Sequence, residues 1–508
     1  MNRSVLVRVA VALSVAIVGL SVVGCLGVRS FFAGRPFPPS TVLQRVLVAI
    51  QNPTPFTAGQ LQIVDARYDI RNTENGTIPY FMVSGYGGAL PSIILNYPEQ
   101  QSGYVYGYGD GSLAAINYST EAQSGRIPGL TKDLPPGAVY VTEDGDYGFA
   151  ANQPLQYLTV IDRVAGVTVN LNLPNVYRVA VNPSGSVAMA YVQNSNYAYR
   201  VIHLQQPNGT IAPVPTFPNE ASWPSAVSPV DCQPIATPVY CVVPVLDKNG
   251  NPIQFDRPIN AIFSSDGTTA WVMNCGPECG NAAIDPVTGQ ATASVSFLST
   301  GVLNIYNFPG STYPAPALPT QTPPTESARV PVPGGATMAL YGNGILYVSG
   351  QQVLTSGPQA GLLEGFLSIL NLGTMQVTAK YPISDGTHTK MLFADDNTLW
   401  IGSQTCQEGF RNATNLVSGC LTMFNLTNNS VLVEPWYGDL TGLCAITLWH
   451  KVYTAYGGQL HIYATTNANI TTFSTTYSAG SELYNGNVTV QGTAYDVAYM
   501  DAITNAAD

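Results

Sequence analysis

A six-residue pattern that recurs along the chain constrains the fold more than any other feature of the sequence. At residues 158–163 it reads LTVIDR, a run of strand-forming residues that ends in an aspartate, which favours a turn. A recurrence of this kind indicates a repeat architecture. We count eight copies, at residues 61–66, 113–118, 158–163, 199–204, 303–308, 367–372, 421–426 and 460–465.

Each copy is one strand of a larger unit, which is clearest at residues 138–173. There the runs AVYV, YGFAA, YLTVID and VTVNLNL predict four short strands separated by polar turns. The turn between the first two strands contains Gly145 in this unit, and later units place Gly185, Gly267, Gly344 and Asn397 at the same point. Glycine and asparagine suit this position because a tight hairpin requires a positive φ.

Four-stranded units repeated around a centre are the blades of a β-propeller, so the sequence predicts an all-β propeller. In LTVI the side chains on both faces of the strand are apolar, as expected for a blade packed between two neighbours. Eight third strands predict eight blades. Seven is the alternative, if the irregular unit around residues 260–308 does not form a complete blade.

The two ends of the repeat region complement each other. Residues 44–66 supply a second and a third strand without a first, whereas residues 493–500 supply a first strand alone. Pairing these strands would close the ring and leave no open sheet edge. The propeller is therefore expected to span residues 43–503, with proline-rich loop insertions at residues 218–257 and 309–333.

The repeated strand–turn–strand unit that ends in the VID-like pattern resembles the YVTN-type β-propeller repeats of bacterial secreted proteins. This resemblance covers most of residues 43–503 and implies the propeller fold. The family includes structural surface proteins, binding modules and lactonase-like enzymes. Membership would therefore imply a fold and leave the activity open.

The amino terminus has the features of an export signal. Arg3 and Arg8 precede an apolar run at residues 9–23, and the following VVGC sequence resembles the bacterial lipobox. The resemblance implies a signal peptide at residues 1–24, lipid on Cys25, and a tether at residues 25–42. The alternative is an uncleaved membrane anchor at residues 9–28. Either reading places the protein outside the cytoplasm, in the periplasm or at the cell surface, attached to a membrane.

Six of the other cysteines form local pairs in the sequence, which favours disulfides in an exported protein. Proximity pairs Cys232 with Cys241, Cys275 with Cys279, and Cys406 with Cys420, and leaves Cys444 as a buried free thiol. Half of a zinc site is the alternative for Cys275 and Cys279.

Charge and motif content exclude several functions. Only 10% of residues are charged, the net charge is −11, and no basic cluster occurs, so we expect no nucleic-acid partner. No G-x-S-x-G, H-E-x-x-H or phosphate-loop motif is present. Asp395 and Asp396 lie in a predicted hairpin turn, where forming the turn is their expected role and binding calcium is the alternative. We expect no cofactor and no metal.

Amides recur where the second strands end, a point that all blades would place at one mouth of the central channel. Amides both donate and accept hydrogen bonds, which suits a neutral, hydroxyl-rich ligand such as a sugar. The alternative is that these amides cap their own turns. The candidate ligand ring comprises Gln51, Asn52, Asn152, Gln153, Gln193, Asn194, Asn274, Gln351 and Gln404, together with His388 in a loop that enters a first strand.

The sequence thus predicts a monomeric, lipid-anchored propeller that serves as a binding or scaffolding module without enzymatic activity, for a carbohydrate or a protein partner. A lactonase-like hydrolase with its site at the channel mouth is the alternative. A hydrolase would need several histidines or carboxylates to converge there, whereas the sequence offers mostly amides at that mouth.

Overall fold

The strands of this computed structural model form eight antiparallel sheets arranged as an eight-bladed β-propeller. The structure describes residues 38–42, 44–54, 57–70, 81–205, 209–217, 219–247, 249–276, 293–305, 327–354, 357, 360–407, 419–467 and 478–500. Its strands are β1 (Arg45–Thr54), β2 (Thr57–Asp65), β3 (Pro91–Tyr97), β4 (Ser102–Gly107), β5 (Ser112–Asn117), β6 (Ala122–Ile127), β7 (Val139–Val141), β8 (Tyr147–Asn152), β9 (Tyr157–Asp162), β10 (Val167–Asn172), β11 (Val176–Val181), β12 (Ala188–Val192), β13 (Ala198–His203), β14 (Asp231–Gln233), β15 (Tyr240–Pro244), β16 (Pro258–Phe263), β17 (Thr269–Asn274), β18 (Ser294–Ser299), β19 (Ala328–Pro331), β20 (Met338–Gly342), β21 (Ile345–Val353), β22 (Leu363–Asn371), β23 (Gln376–Ile383), β24 (Thr387–Ala394), β25 (Thr398–Gln404), β26 (Leu421–Asn425), β27 (Val431–Val433), β28 (Leu440–Ile446), β29 (Lys451–Tyr456), β30 (Gln459–Ala464), β31 (Glu482–Val488) and β32 (Thr493–Tyr499).

The ring closes through the two ends of the chain, as the sequence predicts. Strand β32 is the first strand of the closing blade and pairs antiparallel with β1, so that Val48 lies opposite Val497. Strand β2 is the third strand of this blade. Residues 81–83 occupy the fourth position, because the Ile63 N–H donates to the Phe81 carbonyl (2.9 Å) and the Val83 N–H to the Leu61 carbonyl (3.0 Å).

The prediction of eight blades is confirmed, but one copy of the repeated pattern was assigned wrongly. The described part of the copy at residues 303–308, residues 303–305, is not in the third strand of its blade; that strand is β18, which pairs with β17 and β19. Ile305 instead crosses to the preceding blade, where its N–H donates to Ser186 O and its carbonyl accepts from the His203 N–H, both at 2.7 Å. The real third strand, SVSFLS, alternates serine with larger residues and lacks the terminal aspartate or asparagine of the other copies.

Apolar side chains on both faces of the middle strands hold adjacent blades together. On β9, Leu158 and Val160 are fully buried, and they share a hydrophobic cluster with Tyr106 of the preceding blade and Val201 of the following one. A ring of blades stabilised in this way has no exposed sheet face to protect. This explains why the third strands lack the apolar–polar alternation of a half-exposed sheet.

The hairpin turns between first and second strands adopt the conformation that their residues predict. Gly145, Gly185 and Gly267 have φ values of 74°, 68° and 68°, and Asn397 has a φ of 54°. A side chain other than asparagine or aspartate is disfavoured in this left-handed region.

The loop insertions contribute strands as well as loops. We count the closing blade as the first and number the others in chain order. Within residues 218–257, β15 completes the fourth blade by pairing with β13, and β14 adds a fifth strand at the edge of that blade. Within residues 309–333, β19 is the outer strand of the fifth blade, and residues 309–326 lie outside the described part of the chain.

Two of the predicted disulfides are confirmed. The bridges Cys232–Cys241 and Cys406–Cys420 are formed, and Cys444 is buried and free. Their presence indicates an oxidising compartment outside the cytoplasm. Cys279 and Cys25 lie outside the described residues, so the Cys275–Cys279 pair and the lipid attachment remain predictions. No helix within the described ranges combines the length and the hydropathy that crossing a membrane requires.

Candidate functional site

The strand order defines two faces of the ring. One face carries the connections between second and third strands and the connections between blades, and we call it the upper face. The lower face carries the hairpin turns between first and second strands and the connections between third and fourth strands. Nine of the ten residues of the predicted ligand ring lie at or just beyond the upper ends of second strands, as expected. The tenth, His388, is the second residue of β24 rather than part of a loop.

Three members of the predicted ring are buried and form hydrogen bonds inside the propeller. Asn152 is bonded to Thr159, and Asn274 Nδ2 donates to Ser296 Oγ at 2.9 Å. His388 is fully buried, with its Nε2 2.9 Å from the Ser384 carbonyl oxygen, and burial lowers its pKa to about 4. This imidazole is therefore neutral at pH 7 and supports the backbone of the preceding connection.

Several of the remaining amides form hydrogen bonds to the next blade or to the connection that leads to it, rather than capping their own turns as the alternative interpretation predicts. Gln351 Oε1 accepts a hydrogen bond from the Gly386 N–H at 2.9 Å, and Gln51 Nε2 donates to the Pro91 carbonyl at 3.2 Å. Gln153 Nε2 donates to Gln193 Oε1 across two adjacent blades. Binding of a ligand by this ring remains a prediction.

A different group of side chains meets between the seventh and eighth blades. We name it the aromatic cleft. Glu434 directly follows β27, and Trp436 and Tyr437 lie in the connection to β28 at the upper face. The eighth blade contributes residues from β30 and β31. The aromatic cleft consists of Glu434, Trp436, Tyr437, His461, Tyr463 and Glu482.

Stacking and hydrogen bonds fix the position of one carboxylate in the cleft. The ring of Tyr437 stacks on His461, with centroids 4.5 Å apart and an interplanar angle of 9°. The Tyr437 hydroxyl donates to Glu482 Oε2 at 3.1 Å, and His461 Nδ1 lies 2.6 Å from Glu482 Oε1. Both oxygens of Glu482 are thus engaged. Trp436 and Tyr437 remain 48% and 43% exposed, so their rings are accessible from solvent.

The second carboxyl group of the cleft has the opposite environment. Glu434 is only 6% exposed, and its Oε1 has no hydrogen-bond partner. Burial, and secondarily the charge of Glu482, raise the pKa of Glu434 from 4.5 to about 8. The hydroxyl of Tyr463 is also buried without a partner, and its pKa is raised by burial and by both glutamates. At neutral pH the cleft therefore combines a protonated carboxyl group at Glu434 with unused hydrogen-bonding capacity.

The sequence analysis did not identify this cleft. His461 was not among the predicted site residues, and its contact with Glu482 gives it a structural role in the cleft. The available signal was the segment EPWYGD at residues 434–439, where two aromatic residues occupy a loop between strands. Exposed aromatic residues on a loop are more common at binding sites than in connections that only join strands.

A third group, on the lower face, has the composition of a metal site. Asp395 and Asp396 form the turn between β24 and β25, and His450 lies in the equivalent turn of the next blade. Their potential ligand atoms all lie within 4.8 Å of one another. The sequence placed the two aspartates in a turn but did not bring His450 to them.

Comparisons with known proteins give no family for this chain. No family model matches it, and no curated protein matches it. Among solved structures, a dihydro-heme d1 dehydrogenase aligns with 92% of this chain over 80% of its own length, with 10% identity and a TM-score of 0.49. The periplasmic gluconolactonase of Pseudomonas aeruginosa aligns with 90% of this chain over 98% of its own length, with 15% identity and a TM-score of 0.39. A 6-phosphogluconolactonase of Bacteroides fragilis, described as putative, aligns with 90% of this chain over 98% of its own length, with 10% identity and a TM-score of 0.39. These similarities are too distant to assign an activity.

Proposed function

We propose that this protein is an exported, lipid-anchored β-propeller that binds a neutral, hydroxyl-rich ligand, a carbohydrate, in the aromatic cleft. The observation that carries the proposal is the pairing of two exposed aromatic rings with a buried, unsatisfied carboxyl group. Trp436 and Tyr437 offer exposed aromatic faces, and Glu434, two residues before Trp436 in the chain, keeps one carboxyl oxygen without a hydrogen-bond partner.

The aromatic rings supply the apolar part of such a site. A pyranose ring exposes C–H groups on its faces, and these groups pack well on an aromatic side chain. The stacking of Tyr437 on His461 supports this role, because a ring already held in place loses little conformational entropy when a ligand binds. Binding sites for small molecules commonly combine such apolar walls with a few well-placed polar groups.

The carboxyl groups supply the polar part. A protonated Glu434 donates one hydrogen bond and accepts another, and the Glu482 carboxylate accepts only. Hydroxyl groups also both donate and accept, so a sugar complements this pair. An anionic ligand is disfavoured because two acidic side chains, Glu434 and Glu482, lie in the cleft.

The amino-terminal tether leaves from the opposite face of the ring. Ser40 donates through its backbone N–H (2.7 Å) and its hydroxyl (2.6 Å) to Glu121, which also pairs with Arg45 at 2.7 Å. Glu121 lies in the turn between β5 and β6, on the lower face. A lipid on Cys25 would then hold the lower face towards the membrane and leave the cleft open to ligands arriving from outside.

Retardation in native gels containing a neutral polysaccharide tests the ligand class. We expect glucan, mannan or xylan to slow the migration of the wild-type protein. The Trp436→Ala/Tyr437→Ala variant should bind at least roughly tenfold more weakly, because central aromatic anchors dominate interface energies. Leu448→Ala, a change at an exposed apolar residue on the lower face, is the control. The proposal fails if none of the three polysaccharides retards the wild type, or if both variants migrate like it.

A hydrolase is the second candidate function, favoured by the same pair of glutamates. A protonated Glu434 near a second carboxyl group, that of Glu482, has the composition of the pair used in glycoside hydrolysis. Release of new reducing ends from a polysaccharide that the protein binds would support the hydrolase. Binding without release would support the binding module.

Substitution of Cys25 tests the anchor. We expect Cys25→Ser to abolish metabolic labelling with a palmitate analogue and to move the protein from the membrane fraction to the soluble fraction. The resemblance of residues 22–25 to the lipobox motivates this expectation. Cys444→Ser, which changes a buried thiol, is the matched control. A Cys25→Ser protein that stayed membrane-bound would show that residues 9–28 act as an uncleaved anchor.

A further inference from the structure

We propose that the lower face binds a divalent transition-metal ion through Asp395, Asp396 and His450. This site is separate from the aromatic cleft, and neither proposal depends on the other. It also differs from the expectation of the sequence analysis, which assigned the two aspartates to turn formation and predicted no metal.

The three side chains converge although they come from two blades. His450 Nδ1 lies 2.9 Å from Asp396 Oδ2 and also contacts Asp395 Oδ2. Donor atoms that share an ion at about 2.1 Å each are about 3.0–3.4 Å apart in tetrahedral or octahedral geometry. Small rotations of these three side chains would therefore suffice for them to share one ion.

A neighbouring threonine orients the carboxylates. Thr465 follows β30 and is fully buried, and its Oγ1 lies 2.6 Å from Asp395 Oδ1 and 3.2 Å from Asp396 Oδ2. Contacts of this kind commonly fix the direction of ligands in metal sites. Asp395 would therefore present its other oxygen, Oδ2, to the ion, which is the oxygen that contacts His450.

A groove borders the two aspartates on the side of the sixth blade, and His450 is not part of its lining. It lies on the lower face between the sixth and seventh blades and has a volume of about 380 Å³. Asp395 and Asp396 line it together with the aromatic residues Tyr341, Tyr347 and Phe393. An ion held by only three protein ligands keeps open coordination positions for water or for an oxygen-bearing ligand.

The donor set selects the class of metal. Ca²⁺ and Mg²⁺ prefer sites made only of oxygen atoms, whereas imidazole nitrogen with carboxylates suits Zn²⁺ and related transition ions. We therefore commit to Zn²⁺ as the probe, with Ca²⁺ as the comparison. The Asp–His contacts could also be simple ion pairs, and the experiment distinguishes the two explanations.

Equilibrium dialysis of the oxidised protein against Zn²⁺, read by elemental mass spectrometry, tests the site. We expect one Zn²⁺ per chain and at least tenfold weaker binding in the Asp396→Asn/His450→Asn variant. Asparagine is chosen because both positions have positive φ values, 55° and 52°, which asparagine tolerates. Asp266→Asn, in the equivalent turn of the fifth blade, is the matched control and should bind like the wild type.

The single variant His450→Asn separates loss of a ligand from loss of the fold. Its side chain is 45% exposed, so the propeller should melt as the wild type does while binding of Zn²⁺ falls at least tenfold. Three results would overturn the proposal: no saturable Zn²⁺ binding by the wild type, equally tight binding by the double variant, or preference for Ca²⁺ over Zn²⁺.

Discussion

Deletion of residues 493–508 is expected to abolish the cooperative unfolding of the whole propeller. The deletion removes β32, which supplies the inner strand of the closing blade. The pairing edge of β1 would then be open, and the apolar cluster that contains Val46, Val48 and Ile50 would lose Val497 and Tyr499. An open edge beside an exposed apolar face favours aggregation.

Asp496 makes the loss larger than that of an ordinary terminal strand. This fully buried carboxylate accepts hydrogen bonds from the Ile94 N–H of the second blade (2.9 Å) and from Lys390 Nζ of the seventh blade (2.8 Å). It therefore links the closing blade to the second blade and to the seventh blade. Removing it leaves the partly buried Lys390 ammonium without this partner, which adds to the loss of the strand pairing.

Thermal melts followed by circular dichroism, with size-exclusion chromatography, measure this effect. Deletion of residues 501–508 alone keeps β32 and is the control. We expect the control to elute and melt like the full chain, and the longer deletion to aggregate or to show no cooperative transition. An unchanged melt after removal of residues 493–508 would contradict closure through the termini.

Glu434→Gln is expected to remove much of the pH dependence of stability between pH 5 and pH 8. The pKa of Glu434 is about 8 in the folded protein and its ordinary value is 4.5, so the folded state binds the proton more tightly over this range. The free energy of unfolding then decreases as the pH rises from about 4.5 to about 8, by at most about 1.4 kcal/mol per pH unit. Glutamine resembles the protonated acid and does not ionise.

Urea unfolding at several pH values measures this difference. Near pH 5 the variant should match the wild type, and above pH 8 it should be more stable by roughly 3 kcal/mol. Glu482, Tyr437 and Tyr463 interact electrostatically with Glu434, so the difference between variant and wild type includes the effect of Glu434 on these groups. Glu143→Gln, at an exposed turn, is the control. Parallel pH profiles for Glu434→Gln and the wild type would show that Glu434 is ionised in the folded protein at neutral pH.

The repeats predicted the fold because each blade is specified by local sequence. Strand-forming runs and glycine turns recur every few tens of residues, and the missing first strand at residues 44–66 implied closure by residues 493–500. The error at residues 303–308 has a local cause. LNIYNF matches the pattern better than SVSFLS does, but the pairing of β17 with β18 decides which segment joins the blade.

The candidate sites were not predicted because they form between blades. Glu434 follows a strand of the seventh blade, whereas His461 and Glu482 belong to two strands of the eighth, and only the packing of those blades brings them together. Asp395 and His450 are 55 positions apart and meet because equivalent turns of adjacent blades lie side by side on one face. That second juxtaposition could have been inferred from the blade register. The burial of Glu434, which raises its pKa, could not.

Fluorine NMR of protein labelled with fluorotryptophan tests the proposed function most directly. The chain has five tryptophans, and the resonance of Trp436 can be assigned with the variant Trp436→Phe. Trp400 is fully buried and serves as an internal reference. The proposal predicts that a neutral oligosaccharide of glucan, mannan or xylan shifts the Trp436 resonance saturably and leaves that of Trp400 unchanged. A Trp436 resonance that none of these oligosaccharides moves would contradict carbohydrate binding in the aromatic cleft.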